Sequence, residues 1–423
     1  MIEKFEKLIK VAFNTNQKYL IFLRVIIGYS TPNTEKNSTF AKKYIVMQES
    51  IIIKNFGPIK DVEIKDIRPF TVFIGESGSG KSTIMKVLVL FRWLYKMVSI
   101  RSYLKHSNIT ESPFKFDFNS YLKNNGFEKE TYLKENTEII YIKGCTTIHY
   151  KNKLSASPLV PENELSLDKM CFISEKRNQI PDILLGKDTD MNFFLGETLD
   201  SFRSGEEYVK ELNFNYLGVK YISEKTTSGI KYYIEGLDNK DPYKIKLENA
   251  SSGMQTLTPL SVIVEYFSKY YDLSNRFNKT ILKYMSENDS LADFKPIKNI
   301  GSIKHRNVHI HIEEPEISLY PESQRSLINF IVNRCFVENN KDYKMTVMLA
   351  THSPYIINHL NLLIKANDKN KLIEGAKLDY NNVAVYQVAE GKILDLKIQN
   401  ERLINTNPLS ETINDIYEEY NQL

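Results

Sequence analysis

Apolar and polar positions follow two patterns along the chain, and each pattern predicts a different kind of secondary structure. Short, mainly apolar runs predict buried strands at Thr71–Ile74, Asp168–Ser174, Val308–Ile312 and Met345–Ala350. Longer apolar stretches predict helices at Ile84–Tyr95 and Leu257–Tyr271. Buried strands that alternate with helices are typical of an α/β fold.

Other parts of the chain predict antiparallel strands. They comprise two or three strands between Ser50 and Ile74, a hairpin over Thr137–Tyr150 that turns at Lys143–Gly144, strands over Val219–Leu247, and a hairpin of Val383–Val388 with Ile393–Ile398. Residues 180–212 favour helix, and Ser410 is expected to cap a terminal helix. The pattern therefore predicts an α/β fold with a mixed central sheet, an antiparallel β subdomain and helical insertions.

The first 46 residues differ from the rest of the chain. They carry eight Lys or Arg against three Asp or Glu and contain no clear motif. One hypothesis is that Met47 is the true start. The alternative is an amphipathic arm, because several apolar residues have nearly helical spacing; they are Ile2, Phe5, Leu8, Ile9 and Ala12. The intact mass of the native protein distinguishes the two.

We expect residues 47–400 to form one domain, with insertions at about 96–165 and 272–304 and with a C-terminal helix in 401–423. At 423 residues, with 42% hydrophobic and 26% charged residues, the composition is that of a soluble globular protein. The net charge of +4 is concentrated in the first 46 residues, so charge gives no support for a nucleic-acid-binding surface.

Cysteine usage and hydropathy predict a cytoplasmic location. The three cysteines have neither disulfide nor metal-ligand spacing, which suits a reducing compartment. The apolar run Tyr19–Gly28 is interrupted by Arg24 and is too short to cross a bilayer. It also lacks the cleavage site of a secretory signal, so no membrane association is expected.

A glycine-rich loop lies between the strand at Thr71–Ile74 and the following helix. Its spacing is that of a phosphate-binding P-loop, and the residues expected at ATP are Gly75, Glu76, Ser77, Gly78, Ser79, Gly80, Lys81, Ser82 and Thr83. Backbone N–H groups and the positive end of the helix would bind phosphate, Lys81 would add a charge, and Ser82 would bind Mg²⁺. A turn that binds nothing is the alternative, but the strand and helix around the loop argue against it.

A second helix start has the chemistry of an anion site. Ser252-Gly253-x-Gln255 follows a predicted strand and opens a helix, so a hydroxyl and free N–H groups are available there. Read alone, this is a helix cap.

Two apolar strands end in catalytic residue types. The run Val308–Ile312 leads into Glu313, expected to hold Mg²⁺, and Glu314, expected to orient or deprotonate a water. The second strand leads into His352, which as a neutral imidazole can hydrogen-bond a γ-phosphate. A solvated acidic turn and a structural histidine are the alternatives. The three histidines at 305, 309 and 311 are expected to be ordinary strand and loop residues.

These motifs, in this order, resemble the RecF/SMC-type and OLD-type ABC ATPases. Ile-x-Asn-Phe-Gly-Pro-Ile precedes the P-loop (Walker A), Ser252-Gly253-x-Gln255 resembles the ABC signature in part, and Glu-Glu-Pro-Glu from Glu313 resembles an OLD-type Walker B. The resemblance implies an ABC-type P-loop NTPase head that hydrolyses ATP. It also implies a head-to-tail dimer, because the signature of one subunit contacts the nucleotide of the other.

The same resemblance implies roles for two further residues. Phe56 would lie near adenine, with a core position as the alternative. Arg177 or Gln179 would sense the γ-phosphate, with a solvated loop as the alternative.

Many OLD-type proteins carry a Toprim nuclease domain after the histidine motif, and this chain shows no Asp-x-Asp there. The resemblance therefore suggests the ATPase subunit of an anti-phage defence system such as PARIS, Septu or a retron-linked system. Such a subunit would control a separate effector, a nuclease or toxin. The alternative is a RecF/SMC-like DNA-maintenance ATPase that binds DNA when ATP is bound. A transporter ATPase fits least, because its Walker B usually reads Asp-Glu-Pro-Thr.

Overall fold

The structure is a computed structural model that describes residues 48–109, 118–227, 229–238, 243–287, 303–339, 341–409 and 411–423. The predicted N-terminal extension, the start at Met47 and the cap at Ser410 lie outside these residues. Among the helices described, none is long and apolar enough to cross a membrane.

Seventeen strands are seen in the described part of the chain. They are β1 (Glu49–Phe56), β2 (Ile59–Ile64), β3 (Phe70–Ile74), β4 (Leu133–Lys143), β5 (Thr146–Lys151), β6 (Lys153–Ala156), β7 (Ser166–Ile173), β8 (Glu211–Phe214), β9 (Val219–Thr226), β10 (Gly229–Gly236), β11 (Lys244–Lys246), β12 (His305–Glu313), β13 (Lys344–Thr351), β14 (Val383–Ala389), β15 (Lys392–Asp395), β16 (Lys397–Ile398) and β17 (Leu403–Ile404).

Ten α-helices connect or flank these strands within the same ranges. They are α1 (Lys81–His106), α2 (Phe118–Asn124), α3 (Lys129–Tyr132), α4 (Ile180–Leu184), α5 (Phe193–Glu206), α6 (Ser252–Lys269), α7 (Leu273–Glu287), α8 (Pro321–Val332), α9 (Pro354–Asp368) and α10 (Glu411–Gln422).

Eleven strands form one mixed sheet in the order β6-β5-β4-β1-β2-β15-β14-β3-β13-β12-β7. The five strands from β14 to β7 are parallel to one another, whereas β1, β2, β4, β5 and β6 pair antiparallel. The four predicted buried strands are β3, β7, β12 and β13. The predicted mixed α/β fold is therefore confirmed, and the carboxyl ends of the parallel strands meet at one edge of the sheet.

The antiparallel subdomain is a separate four-stranded sheet in the order β11-β10-β9-β8. The predicted insertion at about 272–304 begins with helix α7, whose Leu273, Phe277 and Ile281 are buried. Apolar residues four apart lie on the same face of a helix, so α7 packs through this face.

Helix α1 is the central helix of the domain. It packs against β7, β12 and β13 on one side and contacts β5 of the insertion on another. Because both sides are covered, most of its side chains are buried, and its sequence is apolar almost all round. This packing fixes the position of the first turn of α1 relative to the ends of β12 and β13.

Charged groups lie buried beneath α1. Arg92 donates to Glu49 through Nε and Nη2, at 2.7 and 2.9 Å, and the hydroxyl of Tyr141 donates to the same carboxylate at 2.7 Å. Burial disfavours the charged carboxylate, but the ion pair with Arg92 outweighs it and lowers the pKa of Glu49 to about 2. The network is satisfied internally and links β1 and β4 to the helix.

We expect the free energy of unfolding to fall as the pH is lowered from about 6.5 towards 4. Burial, together with the charge of Arg92, lowers the pKa of His309 from 6.5 to about 4. In this window the unfolded chain binds a proton that the folded chain excludes, so stability present above pH 6.5 is lost as the pH falls. The loss from this group is on the order of 3 kcal/mol.

Urea unfolding at pH 7 and pH 5 measures this dependence. The variant His309→Gln should show a shallower slope, with a residual part from His311, whose pKa is also lowered by burial. A slope that is unchanged in the variant would contradict the assignment.

Candidate functional site

The P-loop follows β3 directly and closes around its own lysine. At two of its glycines a side chain would collide with neighbouring residues. A Cβ on Gly75 would lie 2.2 Å from the carbonyl oxygen of Val388, and one on Gly80, where φ is 107°, would lie 2.6 Å from Ile59. Lys81 is the first residue of α1, and its Nζ donates to the carbonyl oxygens of Gly75 and Glu76 at 2.9 and 2.7 Å. The loop thus holds its lysine and the start of α1 at the edge where the parallel strands end.

The first acid of the predicted Walker B lies at the end of β12. The Glu313 side chain is only 2% exposed, and its Oε1 lies 2.9 Å from Nζ of Lys86. Burial, joined by the nearby carboxylate of Glu175, raises the pKa of Glu313 above its usual range. Its other oxygen, Oε2, is buried and has no hydrogen-bond partner in the described part of the protein.

This unsatisfied oxygen fits a site for Mg²⁺. Mg²⁺ is usually bound by one or two protein ligands together with substrate phosphates and water. Ser82 and Glu313 would be the protein ligands, as the sequence predicts. Among the residues described, no group of three or more His, Cys, Asp or Glu is arranged to hold a metal.

Glu175 is a site residue that the sequence analysis missed. It follows β7, the strand beside β12, and lies close enough to Glu313 to raise the pKa of that residue. The available signal was an acid directly after a buried strand, the same signal that identified Glu313. It was overlooked because the loop was interpreted through its basic residues.

The second acid, Glu314, has an unusual backbone conformation. Its φ is 43°, in the left-handed region that non-glycine residues rarely adopt. Its N–H donates to the carbonyl oxygen of Ala350 at 2.8 Å, so the residue is tied to the end of β13. Strained backbone of this kind is often held in place at functional sites.

His352 lies beside this acid. Its Nε2 is 3.6 Å from Oε1 of Glu314, and both side chains are about one-third exposed. The backbone N–H of His352 donates to the carboxylate of Glu316 at 2.5 Å. The two predicted catalytic side chains therefore meet at the carboxyl ends of β12 and β13, accessible to a ligand.

Gln324 links the segment that follows the Walker B acids to the loop that carries His352. Its Nε2 donates to the carbonyl oxygen of Leu319 at 2.9 Å, and its Oε1 accepts from the hydroxyl of Ser353 at 2.6 Å. Ser353 in turn caps α9. Gln324 is thus a structural residue that supports the loop of His352.

Arg177 does not reach the nucleotide site, contrary to the sequence-based expectation. It is 1% exposed, and it donates to the carbonyl oxygens of Glu313 and Glu314, each at 2.8 Å. Further bonds go to the carbonyl oxygens of Ser174 and Thr256, at 3.1 and 3.2 Å. The guanidinium joins three segments of backbone at the end of β12 and is not free for a γ-phosphate. The corresponding role of Gln179 stays a prediction.

Phe56 is a core residue, and its predicted place beside adenine is wrong. It is fully buried, with ring centroids 5.0 Å from Phe127 and 5.4 Å from Tyr132. These two rings come from the insertion and cover it. A ring without exposed surface cannot stack on a base.

The predicted signature starts α6, as expected from its sequence. Ser251 caps the helix by accepting from the N–H of Met254, and Ser252 is exposed at the helix start. Gln255 donates locally, to the carbonyl oxygens of Glu248 and Ala250 at 3.0 and 3.1 Å. Within the described residues, no hydrogen bond joins Ser252 to the P-loop. The ATP contacts of Ser252, Gly253 and Gln255 stay predictions.

Gly253 allows a close approach of two backbone segments. A Cβ at this position would lie 2.9 Å from the carbonyl oxygen of Ser318, in the segment that follows the Walker B acids. Any larger residue would push α6 away from that segment. The start of α6 and the segment that follows the Walker B acids therefore pack directly against each other.

Comparison with known proteins agrees with this site. Residues 47–142 match a family described as AAA ATPase domain. No curated protein matches the sequence.

Similar solved structures include an SMC head bound to the C-winged helix domain of ScpA (13% identity, 84% of this chain and 100% of that chain, TM-score 0.36). The SMC head domain from Thermotoga maritima has 12% identity over 84% and 100% of the two chains and a TM-score of 0.34. The dimeric ATP-binding cassette MJ0796, in a post-hydrolysis state with ADP and Pi, has 13% identity and a TM-score of 0.28. The match covers 81% of this chain and 96% of that chain. These TM-scores are low, so the fold assignment depends on the strand order and site geometry of this chain.

The matched segment contains the whole P-loop and all of α1. The acids at the end of β12 and the histidine after β13 lie at the same edge of the sheet as this P-loop. The chain is an ATP-binding ATPase, which confirms the predicted enzyme class.

Proposed function

We propose that this ATPase is a nucleotide-gated dimeric switch. The observation that carries the proposal is the exposed start of α6, where Ser252 and the helix N-terminus are not hydrogen-bonded to the P-loop of their own chain in the part described. A second copy, placed head to tail, would bring this anion site to the phosphates held by the first. ATP would close the dimer, and hydrolysis would reopen it.

Each site residue has a distinct role in this proposal. Lys81 and the N–H groups of the P-loop bind the phosphates. Ser82 and Glu313 would hold Mg²⁺, and the bound ion would neutralise phosphate charge. Glu314 orients the attacking water and takes up its proton, and His352 hydrogen-bonds the γ-phosphate beside it.

The switch would control a separate effector, as in anti-phage defence systems. The support for a protein partner is helix α10, which exposes three large side chains. Ile416 is 60%, Tyr417 65% and Tyr420 74% exposed. These residues have the spacing of one helix face, a pattern typical of a protein-binding helix. All three cysteines are unpaired, which suits the cytoplasm.

Light scattering of the Glu314→Gln variant with and without ATP and Mg²⁺ tests the switch. We expect a dimer with ATP and a monomer without it, because hydrolysis is blocked while binding is retained. Adding Ser252→Glu should abolish the dimer, since a carboxylate would repel the γ-phosphate. In the otherwise wild-type chain, Ser252→Glu should slow hydrolysis by about 10- to 100-fold.

The matched control is Ser155→Glu, which adds the same charge at an exposed position outside the site. A dimer that persists in Ser252→Glu would contradict the composite site. The same measurement on complexes purified from the native host addresses the effector. A second protein that binds the wild type and is lost with Ile416→Ser supports effector control, whereas a bare dimer that gains DNA affinity indicates DNA maintenance.

A further inference from the structure

The buried position of Phe56 leaves the nucleoside of ATP without an assigned place. A cavity of about 590 Å³ opens beside the first turn of α1. Ser82, Thr83 and Lys86 form its wall on the α1 side. Pockets for small molecules typically measure roughly 300–1,000 Å³, so the volume is adequate for a nucleoside.

The insertion forms the opposite wall of this cavity. Asn125, Phe127 and Tyr132 line it there. Both rings also pack on Phe56, so the buried phenylalanine forms a rigid support behind them. Tyr132 itself is half-buried, with part of its surface available to a ligand.

Tyr132 is held closely against the turn between β1 and β2. The N–H of Gly57 donates to its carbonyl oxygen at 2.9 Å, and a Cβ on Gly57 would lie 2.4 Å from its ring. Only glycine allows this contact without displacing the ring. Tyr132 of the insertion thus lies next to the P-loop, in the place that the sequence-based interpretation assigned to Phe56 of β1.

The third wall is the start of α5. Asn192 caps this helix by accepting from the N–H of Leu195 at 2.8 Å. Phe194 is buried, with its ring 4.1 Å from that of Phe172 and 5.1 Å from Nζ of Lys86. Phe193, the neighbouring ring at the rim of the cavity, is 45% exposed. An exposed aromatic ring beside a cavity is a suitable surface for stacking on a base.

We propose that this cavity holds the nucleoside of ATP and that Tyr132 and Phe193 contact its base and ribose. The inference rests on the proposed function, because it takes the phosphates to be bound at the P-loop. The cavity begins at Ser82 and Thr83, so a nucleotide anchored there extends directly between the two aromatic walls. The insertion, not the β1 strand, then determines which nucleoside the protein accepts.

Calorimetric titration with ATP and with inorganic tripolyphosphate, both with Mg²⁺, separates the nucleoside from the phosphates. Phe193→Ala should weaken ATP binding by about tenfold, because the base loses a ring on which it stacks. Tripolyphosphate should bind both proteins equally. Tyr132→Ala should behave in the same way, and the exposed Phe193 provides the test if that variant does not fold.

Tyr243→Ala is the matched control. Tyr243 is 47% exposed, directly precedes β11 of the four-stranded sheet, and does not line the cavity. Unchanged ATP affinity in Phe193→Ala would overturn the inference, and so would an equal loss of affinity for ATP and tripolyphosphate. If the wild type binds tripolyphosphate but neither variant loses affinity for ATP, only the assignment of the cavity is refuted. A wild-type protein that binds neither ligand refutes the proposed function itself.

Discussion

Replacing Glu314 by glutamine lowers the rate of ATP hydrolysis by about 10²- to 10⁴-fold, the range typical of a lost general base. The amide has nearly the shape of the carboxylate but cannot accept the proton of the attacking water. Glu314 is partly exposed and lies 3.6 Å from His352, so its side chain is available to a bound water. ATP binding should be retained, because Lys81 and the P-loop are unchanged.

Steady-state phosphate release and calorimetric ATP affinity measure the two parts of this prediction. Glu322→Gln is the control, since that glutamate lies on the exposed side of α8. If hydrolysis persists in Glu314→Gln at more than one-tenth of the wild-type rate, the catalytic role belongs to another group. The neighbouring Glu316 would then be the first to examine, because its carboxylate already accepts from the N–H of His352.

Replacing Arg177 by methionine should slow hydrolysis by about 100-fold although the side chain does not reach the nucleotide. Its guanidinium donates to the carbonyl oxygens of Glu313 and Glu314 and thereby holds the left-handed backbone at Glu314. Without those donors, the backbone would relax and the carboxylate would move away from the water. Buried acceptors left without partners should also lower the free energy of unfolding by about 3 kcal/mol.

Comparison of kcat with KM distinguishes positioning from a general loss of structure. We expect kcat to fall while KM for ATP changes little, because the P-loop is held by other contacts. Arg177→Lys should recover only part of kcat, since an ammonium group cannot reproduce the planar fork that serves several carbonyl oxygens. A rise in KM with kcat unchanged would instead return Arg177 to the nucleotide-contact role.

The motifs that act through backbone geometry were predictable from the sequence. The P-loop residues 75–83 need glycines where a Cβ would collide, and residue type alone conveys that requirement. Glu313, Glu314 and His352 each follow an apolar strand, and parallel strands bring their carboxyl ends to one edge. Local pattern together with a general rule of sheet topology was therefore enough to bring these residues together.

Burial at the site was not predictable in the same way. Phe56 and Arg177 both belong to plausible motifs, yet each is covered by residues far away in the sequence. Phe127 and Tyr132 cover the ring of Phe56. The end of β12 and the beginning of α6 accept hydrogen bonds from Arg177. No local periodicity specifies such contacts, because they depend on how the insertion and the signature helix pack.

By itself, the sequence determined the class of protein, a P-loop ATPase on a mixed α/β sheet, and the residues at the phosphate end of the site. The tertiary structure decided which side chains are free to act. It made Arg177 a support for Glu314, brought Glu175 beside Glu313, and lined the cavity next to α1 with residues of the insertion. The physical reason is that secondary structure and turn geometry follow from near neighbours, whereas exposure and electrostatic environment are set by residues brought together only in the folded chain.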